Sequence, residues 1–573
     1  MLGLDGLEPS QVESLMAQGR LPNFSALKDE GCYQTLGTTC PPLSPVAWSS
    51  FSTGVNPGKH GIYGFVERDA DYRLRLTSAS VETTKARIGR WTLPWTTERP
   101  VFRRKSTSFW KLLGQASVLT HILRVPISWP PEPFSGFLLS AMGAPDLLGT
   151  QGTYTLFSDR HRELSHGQFV LLKPVNTEWQ AEIKAPKGPS LPLRVSADSI
   201  AVGPTRYALA RGETTPWLRL QFRGLSGLAQ FHRIDDSSIY MSPLQIDPER
   251  PSTPISWPPL FASTLQKLCG PYATCGLAED TGAREDGVLS EQAFLDHAYS
   301  IHEERERQFF HLLKRTPKGC LVAVFDGSDR IAHMFSAPSQ RETLDQMVVR
   351  MDELLGQTRK ELGPEDVLLV LSDHGFKPLH TLIDVNAWLA ENMFLQSLEG
   401  KVDWPNSRAG VFNLSGIRLN QVGRESQGTV QPEQADELLR QVQKKLKALE
   451  VQGERVFGDV FLAKEIYHGP YLERAPDLVL GFAPGFGIYK NASRGFVSSQ
   501  IFHPNTSAWS GDHCFHPDSV PGVLFCNRPL KDGAKIEDLS ATILELQGVE
   551  RPVWMEGRSL IRESRPCQSR RSR

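Results

Sequence analysis

Four short segments of this chain hold carboxylates and histidines at spacings that suit metal ligation, and each lies just past a run that reads as a buried strand. They are Gly3-Leu4-Asp5-Gly6, Ser328-Asp329-Arg330-Ile331-Ala332-His333, Leu371-Ser372-Asp373-His374-Gly375 and Trp509-Ser510-Gly511-Asp512-His513. A fifth, Pro41-Pro42-Leu43-Ser44-Pro45, sets a hydroxyl close behind the first. Hard oxygens and borderline imidazole nitrogens suit zinc or manganese. So many ligands can hold a pair of ions, and two ions flanking a hydroxyl is a layout for phosphoryl-ester chemistry. Asp329 and His333 are one helical turn apart, which puts both on one face. Asp373 and His374 are adjacent, so a strand-to-loop transition must turn both toward one centre. Asp326 competes with Asp329, because the turn at Gly327 brings either within reach, but only Asp329 has the one-turn spacing. Asp512, His516 and His503 are alternatives to His513. His60, in Gly58-Lys59-His60-Gly61, reads as a turn-stabilising group or a support for a ligand.

These residues need a scaffold. Pro9 to Glu30 carries apolar residues at helical spacings broken near Gly19 and Pro22, which predicts two short helices. Ser44 opens a helix over Pro45 to Thr53, and a helix start offers free N–H groups and a positive dipole end to an alkoxide or phosphate. Leu119 to Val125 and Gly136 to Ala141 read as strands. Leu321 to Phe325 and Val367 to Leu371 are continuous apolar runs, as in a parallel sheet covered on both faces. Helices over Glu291 to Lys314 and Thr343 to Leu362 alternate with them, which is α/β order. Ligands at the carboxyl ends of such strands stand where these sheets bind substrate. Only Met1 to Leu4 precede Asp5, fewer residues than the usual strand of about five or six. The expectation is that the true start, or a leader, lies upstream.

Between about Thr150 and Pro258 the pattern changes to alternating apolar and polar residues, as in Leu218-Arg219-Leu220-Gln221-Phe222. The expected organisation is a core in three parts, 1–150, 261–400 and 431–562. A β-rich cap for substrate specificity occupies 151–260, an irregular insertion 401–430, and a basic flexible tail 563–573. With 573 residues the chain exceeds one ordinary core. Its net charge of −1 gives no field that would draw in a nucleic-acid duplex, and no apolar stretch is long enough to span a bilayer. The 8 cysteines are scattered without a C-x-x-C pair, which argues against a thiolate zinc site. Low cysteine density favours reduced thiols in the cytoplasm, leaving open a Cys269–Cys275 bridge and, with a leader upstream, a secreted or periplasmic location.

Taken in order, Gly3 to Gly6, Pro41 to Ile62, Asp329 to His333, Ser372 to Gly375 and Gly511 to His513 resemble the type I phosphodiesterase/nucleotide pyrophosphatase family of the alkaline phosphatase superfamily. Ile536 to Gly557 is similar to its closing helix and strand. The resemblance implies an alkaline-phosphatase-like α/β fold, a three-layer α/β/α core around a mostly parallel sheet, with the β-rich region inserted. Carried over residue by residue, it implies that Asp5, Ser44, Asp373 and His374 hold one ion and Asp329, His333 and His513 the other. Zinc is the implied metal, with manganese as the alternative. Ser44 is the implied nucleophile, forming a phosphoseryl intermediate on a phosphorylated small-molecule or nucleotide-like substrate. The chain departs from the nucleotide pyrophosphatase branch at Phe65, where that branch has an Asn that helps hold the phosphate. It also lacks the Arg of the sulfatase motif after Ser44-Pro45. A phosphotransferase or phosphomutase of the superfamily is the alternative, with Arg206, Arg211, Arg219 and Arg223 as its anion-gripping candidates. A non-catalytic relative that keeps the fold is the second alternative.

Overall fold

The computed structural model describes residues 1–88 and 91–562, so the tail expected over 563–573, with Cys567, lies outside the described residues. Strands that are apolar throughout must be covered on both faces. Cys320–Phe325 and Leu369–Leu371 are buried along their whole lengths. They flank Leu2–Leu4 as parallel partners, with Leu2 opposite Ala323 on one side and Val370 on the other. This trio is the middle of an 8-stranded mixed sheet. Beyond Cys320–Phe325 come Thr120–Leu123 and Phe137–Leu139, both parallel, and then Ser256–Trp257, antiparallel. Beyond Leu369–Leu371 come Gly522–Cys526 and Cys32–Leu36, both antiparallel.

The period of two along each strand divides its side chains between two cores. Leu2, Leu4, Ala323, Phe325, Val370 and Phe525 face one core, where Val12, Phe24, Phe294, Ile331 and Met351 meet them from helices Pro9–Ala17, Pro22–Glu30, Glu291–Leu313, Gly327–Phe335 and Arg341–Lys360. Val322, Val324, Leu369, Leu371 and Leu524 face the other, against Trp48, Phe51, Phe109 and Leu539 of helices Ser44–Thr53, Phe109–Gln115 and Asp538–Leu546. The expected three-layer α/β/α core is therefore present, and each large apolar side chain it hides contributes about 1.5–3 kcal/mol.

The region read as β-rich contains a 4-stranded sheet around Thr155–Ser158, a 5-stranded antiparallel sheet from Lys173–Val175 to Thr205–Ala208, and a 3-stranded sheet around Leu225–Ala229. Leu218–Phe222 alternates buried and exposed residues as its sequence predicts.

Residues 401–430 depart from the expected irregular insertion. Ala409–Asn413 and Gly416–Leu419 form an antiparallel hairpin in a 4-stranded sheet with Leu478–Phe482 and Phe457–Leu462. Gly410, Asn413, Ser415 and Gly416 serve the hairpin and its turn, where Asn413 Oδ1 accepts from the Ser415 N–H at 3.0 Å. Val411, Ile417, Val460 and Leu480 pack with helices Val385–Glu391 and Pro432–Lys447 into a separate core. This second lobe leaves the central sheet after Leu371 and returns to it at Gly522. All described cysteines are free, so the Cys269–Cys275 bridge is not formed. No described helix is long and apolar enough to cross a membrane.

Candidate metal centre

Three parallel strands deliver their carboxyl ends to one edge of the sheet. Asp5 follows Leu2–Leu4, and its N–H still donates to the Phe325 carbonyl at 3.0 Å. Asp373 and His374 follow Leu369–Leu371, where the Ser372 N–H donates to Val523 O at 2.9 Å. Asp329 and His333 lie on Gly327–Phe335, the helix that leaves Cys320–Phe325. Ser44 opens Ser44–Thr53 in the opposite layer, at a helix start with no side-chain cap. His513 arrives from the second lobe, just after Gly511–Asp512 pairs with Lys377–Ile383. All seven residues are buried. Two glycines permit this crowding. A Cβ on Gly3 would lie 2.5 Å from the Trp48 ring, and Gly6, at φ +76°, leaves a Cβ only 3.0 Å from Asp329 Cα.

The side chains converge. Ser44 Oγ lies 3.1 Å from His374 Nε2 and 3.5 Å from Asp5 Oδ1. His374 Nε2 is 3.6 Å from Asp5 Oδ1 and 3.3 Å from Asp373 Oδ2. On the other side, Asp329 Oδ1 is 3.6 Å from His333 Nε2 and 3.7 Å from His513 Nε2. Ligand atoms of Asp329, His333 and His513 lie within 4.8 Å of one another, as do those of Asp5, Asp329 and His374, so Asp329 stands between the two groups. Asp329 Oδ1 and both oxygens of Asp373 are buried without a hydrogen-bond partner. Buried carboxylate oxygens left unpaired are expensive, and a divalent cation is the partner that this donor set fits.

Each imidazole is aimed by its far nitrogen. His333 Nδ1 is 2.9 Å from Gly511 O, His513 Nδ1 2.7 Å from Pro42 O, and His374 Nδ1 3.1 Å from Gly375 O. Carbonyls only accept, so Nδ1 carries the proton in all three rings and the Nε2 lone pair faces inward. Burial holds His333 and His374 neutral, well below the usual imidazole range. Burial also raises Asp5 and Asp329 above the usual carboxylate range and, with the neighbouring Asp329, pushes Asp373 up to about 8. These are the directions expected of an uncompensated cluster of ligands, and bound cations would reverse them for the carboxylates.

The alternatives fall elsewhere. Asp326 is taken by Arg305 in a buried ion pair. Asp512 Oδ1 accepts from the His513 N–H at 2.7 Å and so caps its own turn. His516 caps Pro517–Ser519, and His503 stacks on Tyr489 with ring centroids 4.6 Å apart. His60 is a turn group, accepting from the Ile62 N–H at 3.2 Å, with Ser50 Oγ 3.1 Å from its Nε2. Arg206 pairs with Glu178 at 2.8 Å within its own sheet, Arg219 pairs with Asp247 at 2.9 Å, and Arg211 and Arg223 are exposed. Phe65 packs with Leu43, Val46 and Cys514 beside the Ser44 helix.

Sequence reading missed several contributors. The Trp48 ring N–H donates to Asp5 Oδ2 at 2.9 Å, and Trp509 stacks on His333 with centroids 3.6 Å apart. Trp48 was detectable as the residue one turn after Ser44. Nothing in the spacing of Trp509 marks it.

A model of the type I phosphodiesterase/nucleotide pyrophosphatase family matches residues 1–133 and 266–513, passing over the β-rich sheets. Among solved structures, the phosphonoacetate hydrolase from Sinorhizobium meliloti 1021 in complex with phosphonoacetate aligns over 95% of this chain and 94% of its own, at 13% identity and a TM-score of 0.49. Human ectonucleotide pyrophosphatase/phosphodiesterase 5 aligns over 96% and 95%, at 11% identity and a TM-score of 0.42. Wild-type alkaline phosphatase PafA aligns over 98% and 97%, at 13% identity and a TM-score of 0.45. No curated protein matches the sequence significantly.

Proposed function

The chain belongs to the type I phosphodiesterase/nucleotide pyrophosphatase family, and from that premise we propose that it is a two-metal phosphoester hydrolase acting through Ser44. Asp5, Ser44, Asp373 and His374 would hold one divalent cation and Asp329, His333 and His513 the other, with zinc preferred and manganese as the alternative. When bound, such ions supply Lewis-acid charge to the oxygens around phosphorus and lower the pKa of a coordinated hydroxyl. The observation that carries the reading is the set of unpaired buried oxygens on Asp329 and Asp373, facing three inward Nε2 atoms beside one serine hydroxyl.

The residues then act as follows. Ser44 Oγ attacks phosphorus in line with the departing ester oxygen, so the Oγ–P bond forms as the ester P–O bond breaks. The helix start behind Ser44 presents its positive dipole end to the phosphoryl oxygens, whereas Pro45 has no N–H and the Val46 and Ala47 N–H groups donate to Leu43 O. His333, His374 and His513 hold fixed tautomers through their carbonyl partners and keep their lone pairs in place. Water cleaves the phosphoseryl bond in the second step and restores the hydroxyl. Phe65 can donate no hydrogen bond to a phosphoryl oxygen. The substrate class is a phosphorylated small molecule, nucleotide-like compounds included.

The test loads purified protein with zinc or manganese, counts ions by mass spectrometry, and follows release of nitrophenol from nitrophenyl phosphate esters. Two ions per chain and turnover abolished by chelator are expected. Turnover that survives metal removal would sink the proposal.

A further inference from the structure

Arg330 follows Asp329 on the same helix and is only 6% exposed. Its guanidinium carries five donors in a rigid plane. Nε is buried with no hydrogen-bond partner, and the ion pair described for this side chain runs from Nη1 to Asp329 Oδ2 at 3.4 Å. That is longer than a charge-assisted hydrogen bond of about 2.7–2.9 Å. Glu279 lies within Coulombic reach of Arg330 but pairs with Arg305 at 3.0 Å, and Arg305 also holds Asp326. Glu279 therefore offsets the charge of Arg330 without occupying its donors.

A fixed cation beside a site for two dications opposes their binding. Its placement gains only if a further anion enters with them and supplies the acceptors that the guanidinium lacks. We infer that Arg330 binds a phosphoryl oxygen of the substrate, so that this centre selects phosphate monoester dianions over diester monoanions. The inference rests on the hydrolase reading above and narrows its substrate class. A monoester presents three unesterified oxygens, two of which match the paired N–H groups of a guanidinium. A diester has lost one of these oxygens, and one negative charge, to its second ester arm. The unused donors on Arg330 thus favour the group with more charge and more free oxygens.

The experiment compares full-length wild-type protein with Arg330→Met and Arg330→Lys, each loaded with metal and checked for ion content and thermal midpoint. Three readouts are taken: kcat/KM for p-nitrophenyl phosphate, kcat/KM for bis(p-nitrophenyl) phosphate, and the affinity for inorganic phosphate by titration calorimetry. In Arg330→Met we expect a loss of about 30- to 100-fold for the monoester and a similar loss in phosphate affinity, from the removal of a charged hydrogen-bonding partner. The diester rate should fall at least about tenfold less than the monoester rate, ion content should be kept, and Arg330→Lys should recover part of the loss as a point charge. Equal losses for both esters, or a loss of ions, would overturn the inference and leave Arg330 as a support for Asp329. Unchanged phosphate affinity would overturn it as well. If the wild-type protein turned over neither ester, the hydrolase reading would fail, while the phosphate titration would still decide the fate of Arg330.

Discussion

Asp5, Asp373 and His374 leave neighbouring parallel strands whose backbones are already locked into the central sheet, whereas His513 reaches Asp329 and His333 only after the chain has passed through a second lobe with its own core. The first half of the centre is set by the ladder hydrogen bonds of Asp5 and Ser372 and by the packing of Trp48 against Gly3. The second half combines one rigid helical turn with a loop fastened from outside. Asn505 Nδ2 donates to Leu379 O at 3.0 Å and to Trp509 O at 2.7 Å, and the Ser510 N–H donates to His333 O at 2.7 Å. The first half is therefore preorganised by folding of the core, while the second depends on how well the lobe seats against it. Ion affinity should follow the same order, tighter at the first group than at the second.

The largest effect expected from breaking this arrangement is at Ser44. Ser44→Ala removes the proposed nucleophile while leaving Asp5, Asp373 and His374 in place, so turnover should fall by about 10³-fold or more with ion content largely kept. An unchanged rate would remove Ser44 as nucleophile. Next come the two halves set against each other. His513→Ala should weaken one ion by about 10- to 100-fold and leave the other bound, whereas Asp373→Asn should do the reverse. Stepwise chelator titration reads both, and a single shared loss in either variant would show that the halves are not independent.

The smallest effect concerns a tether between the regions. Glu556 accepts from the Asn56 N–H at 2.9 Å, and lies 2.7 Å from Lys59 Nζ and 2.6 Å from His468 Nε2 of the second lobe. Burial alone would raise this carboxyl, but the hydrogen bonds from Lys59, Asn56 and His468 hold it down at about 2. A depressed carboxyl contributes stability that is present above its unfolded value and lost as pH falls through the folded one. Wild-type protein should thus lose thermal stability between about pH 4.5 and 2, and Glu556→Gln should flatten that part of the profile. Parallel profiles for the two proteins would show that the tether carries no weight.

The core half was also the easier half to read. Buried strands announce themselves as apolar runs, and the ligands after them inherit their position. Asp329 and His333 were legible as candidate ligands through one helical turn, which also favoured Asp329 over Asp326, and the Arg305 ion pair accounts for Asp326. The hairpin at Ala409–Leu419 was not legible, because Gly, Asn and Ser serve turns and loops alike and only packing against Leu478–Phe482 distinguishes them. Trp509 and the carbonyls of Pro42 and Gly511 act through contacts between distant segments, which no local spacing encodes. Of the four arginines offered as an anion grip, Arg206 and Arg219 are engaged by Glu178 and Asp247, pairings that the sequence does not display.

The return of the chain from the second lobe also sets a timetable for biosynthesis. A ribosome releases Asp5, Ser44, Asp329, His333, Asp373 and His374 before the lobe is made, and His513 only after it. A nascent or prematurely terminated chain that stops short of this histidine can fold much of its scaffold and still lack the proposed closing ligand, so the proposed chemistry must wait until the second lobe has been translated.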